Sequence, residues 1–283
     1  MFFDNGEKMI TGCKVKNILS ISKLYSFFKR RFENGFFFRG ECHDFYEVVC
    51  VLSGQVGITA GKKVFSLKEN EMTFHPPGEF HAIREENASS PEVIIFSFSA
   101  TSFPSCPGKI FRLSDDNKEE ILSIFKIVKN TFDFEGYGIN EMIENAEINA
   151  ALAIKRLEIF LISILGMKSG YSVQSSSPAS SSFSKILSIM EHNISASLDV
   201  YTMAELCGIS VPTLEKTVNK YLGYGAMAHY NVLRMQRAHT LLLEGVSVKE
   251  TALSLGFSNQ NYFSARFKKY YGYAPSYVRK NIS

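Results

Sequence analysis

The spacing of apolar and polar positions changes period twice along this chain, and each change marks a change of architecture. From about Phe36 to Ala100 the apolar residues come in short runs: Phe45 to Leu52, Gln55 to Ala60, Lys63 to Leu67, Met72 to His75 and Glu92 to Phe98. Turn residues separate them, at Ser53-Gly54, Gly61, Lys68 to Glu71 and Pro76-Pro77-Gly78. Short strands punctuated in this way predict a β-sandwich or barrel. Next come Asp116 to Phe132 and Ile139 to Leu165, where apolar residues such as Ile121, Ile124, Val128, Ala153, Leu157 and Leu161 recur at helical spacing. These predict two amphipathic helices that either pack on their own β-domain or pair with a second subunit.

Ser172 to Ser182 is rich in serine, with one proline and no charge. It predicts a flexible linker over 172–183 between domains at 1–171 and 184–283. Beyond it the pattern is helical throughout, at roughly 183–193, 201–207, 211–221, 226–244, 248–255, 259–270 and 275–281. The expected fold class is therefore α+β. An amino-terminal barrel with two following helices precedes an all-α domain of two helix-turn-helix units joined by a long helix.

The two units share one grammar. Met203 to Tyr221 and Val248 to Lys268 each read as a short helix, a glycine turn, a serine and a second helix. Gly208 and Gly256 permit a positive φ in the turn, and Ser210 and Ser258 are candidates to cap the helix that follows. Ala204, Leu206, Ile209, Leu214 and Val218 would lock the first pair, and Val248, Ala252, Leu255, Phe257, Phe263 and Phe267 the second. The positions left over face outward. In the second unit they are Asn259, Gln260, Asn261, Ser264 and Ala265, and the amides of Gln260 and Asn261 suit bidentate pairing with adenine. Lys268 and Lys269 lie farther along and suit phosphates. In the first unit Thr213, Glu215, Lys216 and Asn219 are exposed. Lys216 suits guanine or phosphate, whereas Glu215 either accepts from cytosine or simply faces solvent. The intervening helix, Ala226 to Leu243, spans about 27 Å, enough to set two recognition helices about one duplex turn apart.

Charge supports double-stranded DNA as the partner. The net charge is only +3, but residues 184–283 carry 11 Lys/Arg against 6 Asp/Glu, while residues 1–183 carry 20 against 22. The positive potential is thus concentrated on the helical module, as phosphate contact requires. No uninterrupted apolar stretch reaches the length of a membrane span, and Ile154 to Met167 is broken by Lys155, Arg156 and Glu158. The first residues lack the basic-then-apolar order of a secretory signal. Cysteines 13, 42, 50, 106 and 207 are an odd set without C-x-x-C spacing, which fits reduced thiols in the cytoplasm.

Ala252, Gly256-Phe257, Tyr262-Phe263, Phe267-Lys268-Lys269, Gly272 and Pro275 closely resemble the closing signature of the AraC/XylS family of bacterial transcription regulators. The likeness covers about a hundred residues. The pattern is departed from in two places: around the first unit Ala226 stands where proline is usual and Lys216 and Val218 replace arginine and phenylalanine, and after Gly272 Val278 replaces a tyrosine, with Tyr277 beside it. The resemblance implies a cupin-like sensor barrel, promoter DNA and RNA polymerase as partners, a homodimer, and a role as activator.

Metal-binding cupins carry H-x-H-x3-4-E and P-x-G-x-x-H. This chain has Glu41-x-His43-x3-Glu47 and Pro76-x-Gly78-x-x-His81, with Glu in place of the first His. Glu41, His43, Glu47 and His81 could each bind a metal through N or O. The alternative is that they line the barrel mouth without an ion, and no cofactor is expected. Arg39, Glu41, His43, Tyr46, Glu47 and His81, beside many aromatics, are the candidate contacts for a small-molecule effector, a sugar or other polar metabolite. The rival readings are a β-domain that only dimerises or binds a protein, and a metal-dependent cupin enzyme.

Overall fold

A computed structural model of the chain describes residues 13–14, 16–104, 109–166, 171–172 and 178–280. Its amino-terminal half contains β1 (Ile21–Arg31), β2 (Phe37–Glu41), β3 (Tyr46–Ser53), β4 (Gln55–Ala60), β5 (Lys63–Lys68), β6 (Glu71–His75), β7 (His81–Glu85), β8 (Glu92–Ala100) and β9 (Lys109–Arg112). These are followed by α1 (Asp115–Lys129), β10 (Phe132–Glu135), β11 (Gly138–Met142), α2 (Glu147–Gly166) and β12 (Tyr171–Ser172). One antiparallel sheet has the order β10-β11-β1-β8-β3-β6-β9-β12, and a smaller one the order β2-β7-β4-β5.

Side chains alternate across a strand, so a strand buried on both faces reads as one apolar run. In β3, Val48, Cys50 and Leu52 join the core under α1 and α2, while Val49 and Val51 face the smaller sheet. The smaller sheet answers with Val56, Ile58, Phe65, Leu67 and Ile83. The result is a cupin-like sandwich covered on one side by two helices. α1 starts at a capping box formed by Ser114 and Asn117.

Three expectations are corrected here. β1 was not anticipated, because register shifts between Ile21/Lys23 and Leu24/Ser26 break its alternation. The segment expected as one helix from Ile139 begins as β11, which pairs with β10, and becomes α2 only from Glu147; Asn145 (φ 61°) holds a conformation that interrupts a helical run. The serine stretch expected as a linker runs into α3 (Pro178–His192), while residues 173–177 lie outside the described residues. Phe183, Ile186, Leu187 and Met190 bury one face of α3, and that packing overrides the weak helix propensity of serine.

The carboxy-terminal module continues with α4 (Val200–Cys207), α5 (Val211–Leu222), α6 (Ala226–Leu243), α7 (Val248–Ser254), α8 (Gln260–Tyr271) and α9 (Pro275–Lys280). α6 is its spine. Ala226 and Tyr230 belong to the core of the first unit, whereas Met235, Ala238 and Leu242 belong to that of the second. Tyr230 directs its hydroxyl at the carbonyls of Asn193 and Ala196, 2.5 and 2.6 Å away. Arg234, buried on the same helix, donates from Nε and Nη2 to the Leu255 carbonyl at 3.1 and 2.6 Å. Its guanidinium also lies 3.8 Å from the Phe257 ring. The turn of the second unit is thus clamped to α6 by a charge-assisted fork. Gly256 sits in that turn at φ 71°, and a Cβ there would come within 2.4 Å of the Ser195 carbonyl oxygen.

Replacing Arg234 by Met keeps the aliphatic stem and leaves the Leu255 carbonyl without these donors. The expected loss is about 1–3 kcal/mol, measured by urea denaturation of the full chain followed by circular dichroism. An unchanged midpoint would refute the clamp.

Candidate effector site and nucleic-acid interface

Between the two sheets lies a cavity of about 390 Å³. One wall is aromatic, with Tyr25, Phe28, Phe36 and Phe38; the opposite end is polar, with Glu41, Glu47, His75 and His81. Tyr137 and Gly138 of the hairpin complete the lining. Arg30 stands among these rings, its guanidinium 4.7 Å from the Phe36 centroid and 5.5 Å from that of Tyr137.

The polar end is built by three segments. Glu47 projects inward from β3, one residue out of phase with Tyr46, and His81 opens β7. Glu41 reaches the same place because β2 carries a register shift between Phe38 and Glu41. Gly40 makes that bulge possible: its φ is 91°, and a Cβ there would lie 2.4 Å from the Phe80 ring and 2.6 Å from the His81 carbonyl. His43 Nδ1 lies 3.0 Å from the Phe45 carbonyl, and His81 Nδ1 lies 3.0 Å from the Glu79 carbonyl. A carbonyl can only accept, so each Nδ1 carries the proton and donates. Each Nε2 is then turned inward. It is buried without a hydrogen bond of acceptable geometry, although Glu47 Oε1 is 3.3 Å from His81 and Oε2 is 3.8 Å from His43. Glu41 Oε1 stands 4.0 Å from His81 Nε2. Burial alone would raise the Glu47 carboxyl, but His43 and His81 outweigh it and hold it at about 2. His81 is raised: burial disfavours its charge, and Glu47 more than compensates. His75 stacks on His81 at 4.5 Å and bonds to Glu79 Oε2 at 2.9 Å.

The structure therefore brings together Glu41, His43, Glu47 and His81, whose ligand atoms all lie within 4.8 Å of one another. The two imidazoles with fixed Nδ1–H, plus two carboxylates, are a donor set that fits a divalent cation. The other two expected contacts fall elsewhere. Tyr46 points into the helix-covered core, where its ring packs 4.6 Å from Phe103. Arg39 lies on the outer face of β2 against Gly223. Arg30, Tyr25 and Tyr137 were missed; the first two sit on the unrecognised β1, and the third in the turn between β10 and β11, just before the segment expected as helix.

The outer face of the smaller sheet carries the DNA-reading module. Thr59 donates to the Tyr221 carbonyl at 2.9 Å, and Ser184 donates to the Lys62 carbonyl at 2.5 Å. Lys62 pairs with Glu191, and Arg84 lies 5.3 Å from the Tyr221 ring. Val64 of β5 joins the core of the first unit. Phe80 meets the His229 ring edge-on at 5.5 Å, and Phe37 presses on Gly223.

On the module's free side, Thr213, Lys216, Gln260, Asn261, Lys268 and Lys269 are exposed, and Ser264 is half-buried. Two expected readers have structural duties instead. Glu215 accepts from the Ala226 backbone N–H at 3.0 Å and so caps α6, whose own N-cap is Gly225 without a side-chain bond. Asn259, not Ser258, caps α8, accepting from Asn261 and Tyr262 at 2.7 and 3.2 Å. Ser210 caps α5 as expected.

A cupin-like barrel with an interior cavity, joined to two bihelical units on a shared spine, defines a ligand-binding, DNA-binding regulator. The sequence profile of the AraC-like ligand binding domain matches residues 26–112, and a helix-turn-helix domain profile matches residues 203–281. The chain belongs to the AraC family of transcription regulators. It is 22% identical over 243 residues to the transcriptional activator RhaS of Enterobacter, covering 84% of this chain and 86% of that one. It is 32% identical over 96 residues to the transcriptional regulator GlxA of Rhizobium meliloti, covering 34% of this chain and 30% of that one. It spans about half the length, 52%, of a RhaS from Pectobacterium carotovorum. A solved AraC-type regulator from Chromobacterium violaceum is 29% identical with a TM-score of 0.35, covering 36% of this chain and 93% of that one.

His229, at the junction, is held by burial at about 4, well below its ordinary value. Its neutral form is the one that fits, with Tyr224 bonded to Nδ1 at 3.0 Å. As pH falls from about 6.5 to 4, the unfolded chain takes up a proton that the folded chain refuses, so stability falls across that window. The expected loss is about 3 kcal/mol, and His229→Gln should flatten this part of the stability–pH curve. Equal slopes for both proteins would count against it.

Proposed function

We propose that this chain is a cytoplasmic transcription activator that binds promoter DNA through both bihelical units and is controlled by a small polar molecule in the barrel. The observation that carries the reading is the second unit. There Gln260 and Asn261 stand exposed on the first turn of a capped helix, followed by exposed Lys268 and Lys269 on its last turn. Amides at the helix start suit adenine edges, and lysines farther along suit the backbone. Lys216 and Thr213 on α5 serve as a second contact set, with Glu215 fixing the angle between α5 and α6. The proposed readers are therefore unequal, and the second unit discriminates more strongly between sequences.

The cavity volume suits a metabolite of sugar size, and its mix of aromatic walls and clustered polar groups suits a hydroxylated ligand. We take regulation rather than catalysis as the task, because the curated relatives bear the names of regulators. Activation would pass to RNA polymerase at the promoter. No helix among the described residues is long and apolar enough to cross a membrane.

Homodimerisation has its own support. On α2, Ile148 (84% exposed), Leu152, Ile159 (67%) and Ile162 form one uncovered stripe at spacings of 4, 7 and 3 residues. The opposite face, with Leu157, Leu161 and Ile164, is already buried on the barrel. A self-complementary apolar seam of this kind suits a second copy of the same helix.

Selection of bound fragments from random duplexes, followed by mobility shift, tests the DNA reading. Gln260→Ala should lose about 1–3 kcal/mol at one base position. Lys268→Ala should weaken all sequences alike and lower the salt slope by about one. A chain that selects no site at low salt would sink the proposal. For the dimer, Ile159→Glu should shift sedimentation from dimer to monomer while leaving the fold intact; a monomeric parent protein would overturn it.

A further inference from the structure

The polar end of the cavity and the seat of the DNA-reading module lie back to back and share two short segments. β2 contributes Glu41 to the polar cluster, while Phe37 and Arg39 of the same strand press on Gly223. Just beyond β2, Cys42 lies beside Gln236 of α6 and Tyr270 of α8. The second segment is the connection from Pro76 to Phe80. The Glu79 carbonyl there fixes the His81 imidazole, and Phe80 meets His229 at the start of α6.

We infer that Glu41, His43, Glu47 and His81 hold one divalent transition-metal ion, and that its binding moves β2 and the 76–80 connection against the DNA-reading module. The inference rests on the regulator reading for its consequence, but not for the metal site itself. Two buried imidazole nitrogens, both without a hydrogen bond, face two carboxylates, and the His81 side chain is almost completely buried. With each Nδ1–H given to a carbonyl, each Nε2 is the atom aimed at the carboxylates, as in histidines oriented to be ligands, and a cation would bind there by displacing the proton that Glu47 favours on His81. Two imidazoles and two carboxylates suit zinc, iron, cobalt or nickel better than calcium or magnesium.

The geometry also says which ligand an ion would restrain most. Metal–ligand bonds of about 2.0–2.2 Å allow ligand atoms to stand no more than about 4.4 Å apart. The four ligand atoms all lie within 4.8 Å of one another, and His81 Nε2 is already 3.3 Å from Glu47 and 4.0 Å from Glu41. His81 is pinned by its carbonyl bond, His43 likewise, and Glu47 sits in the middle of the eight-stranded sheet. Glu41 is the exposed member, its side chain half accessible, on an edge strand with a glycine bulge. An ion would therefore fix Glu41, and with it β2, whose Phe37 and Arg39 lie against Gly223.

The test uses the full chain, stripped with a chelator and dialysed. Titration with Co²⁺, followed by visible absorption, and with Zn²⁺, followed by calorimetry, should give one ion per chain. Glu47→Gln and His81→Gln should each weaken binding about tenfold or more with unchanged circular dichroism. Glu41→Gln, at an exposed position, provides the same comparison if the buried variants fail to fold. Hydrogen exchange of the parent chain with and without Zn²⁺ should change in residues 37–42, 76–80 and 222–230. No saturable binding at micromolar ion overturns the site, as does binding that survives all three substitutions. Binding without any change in those segments overturns the coupling. A chain that selects DNA but takes up no ion leaves the regulator reading standing; one that takes up the ion but selects no DNA leaves only the metal site.

Discussion

The smaller sheet is buried on both faces, and the rest of the structure depends on that constraint. Because strand side chains alternate, successive residues belong to different surfaces. Ile58 faces the core between the sheets and Thr59 bonds to the DNA-reading module; Ile83 lines the cavity and Arg84 lies over Tyr221. A sheet that is one residue thick cannot rearrange on the effector side without being felt at Tyr221, Gly223 and His229. Close packing of interiors makes such a layer transmit strain rather than absorb it. The fold thus supplies a coupling element without any dedicated hinge.

The same alternation explains what could be read from sequence and what could not. The carboxy-terminal helices were legible nearly to the residue, because their turns, caps and apolar sets are local. Arg39, Glu41 and His43 share parity with Phe37, and a regular strand would have aimed them all outward, on the face opposite Phe38 and the cavity. The bulge at Gly40 breaks that, leaving Arg39 outward and turning Glu41 inward, and a bulge depends on pairing with β7 rather than on β2 alone. Tyr46 failed for a simpler reason: β3 is covered on both faces, so an aromatic next to Glu47 had two apolar places to go. The hairpin that supplies Tyr137 was hidden because Ile139, Met142 and Ile143 mimic helical spacing over a stretch too short to expose the error.

Within the DNA-reading module the two units are held by different means, and this bears on their roles. The second unit is clamped by Arg234 onto Leu255 and closed by an aromatic cluster of Phe257, Phe263 and Phe267. The first has the Glu215 cap at its junction with α6, and its α5 end rests on the barrel. A unit whose position is set by the barrel can be moved by it; a unit locked to the spine cannot move without α6. Departures from the family pattern also gather in the first unit, at Lys216, Val218 and Ala226. The replacements follow the same division, since Val218 and Ala226 are fully buried and Lys216 alone faces outward.

Ligand control then becomes a question of differential affinity. An effector shifts the docked and released arrangements only by as much as it prefers one over the other. Reversing a population from about 1:99 to 99:1 needs roughly 5.5 kcal/mol. The junction is suited to that scale, because its contacts among the described residues include two hydrogen bonds to carbonyls, one ion pair, one cation–π contact, the Phe80–His229 edge contact, Phe37 against Gly223 and the burial of Val64. Hydrogen bonds of this kind contribute about 1 kcal/mol each, and a half-exposed ion pair contributes less. A large apolar interface would hold the module beyond the reach of any small ligand. A small mixed one of this composition leaves docking and release close enough in free energy for events at Glu41 and His81 to decide between them.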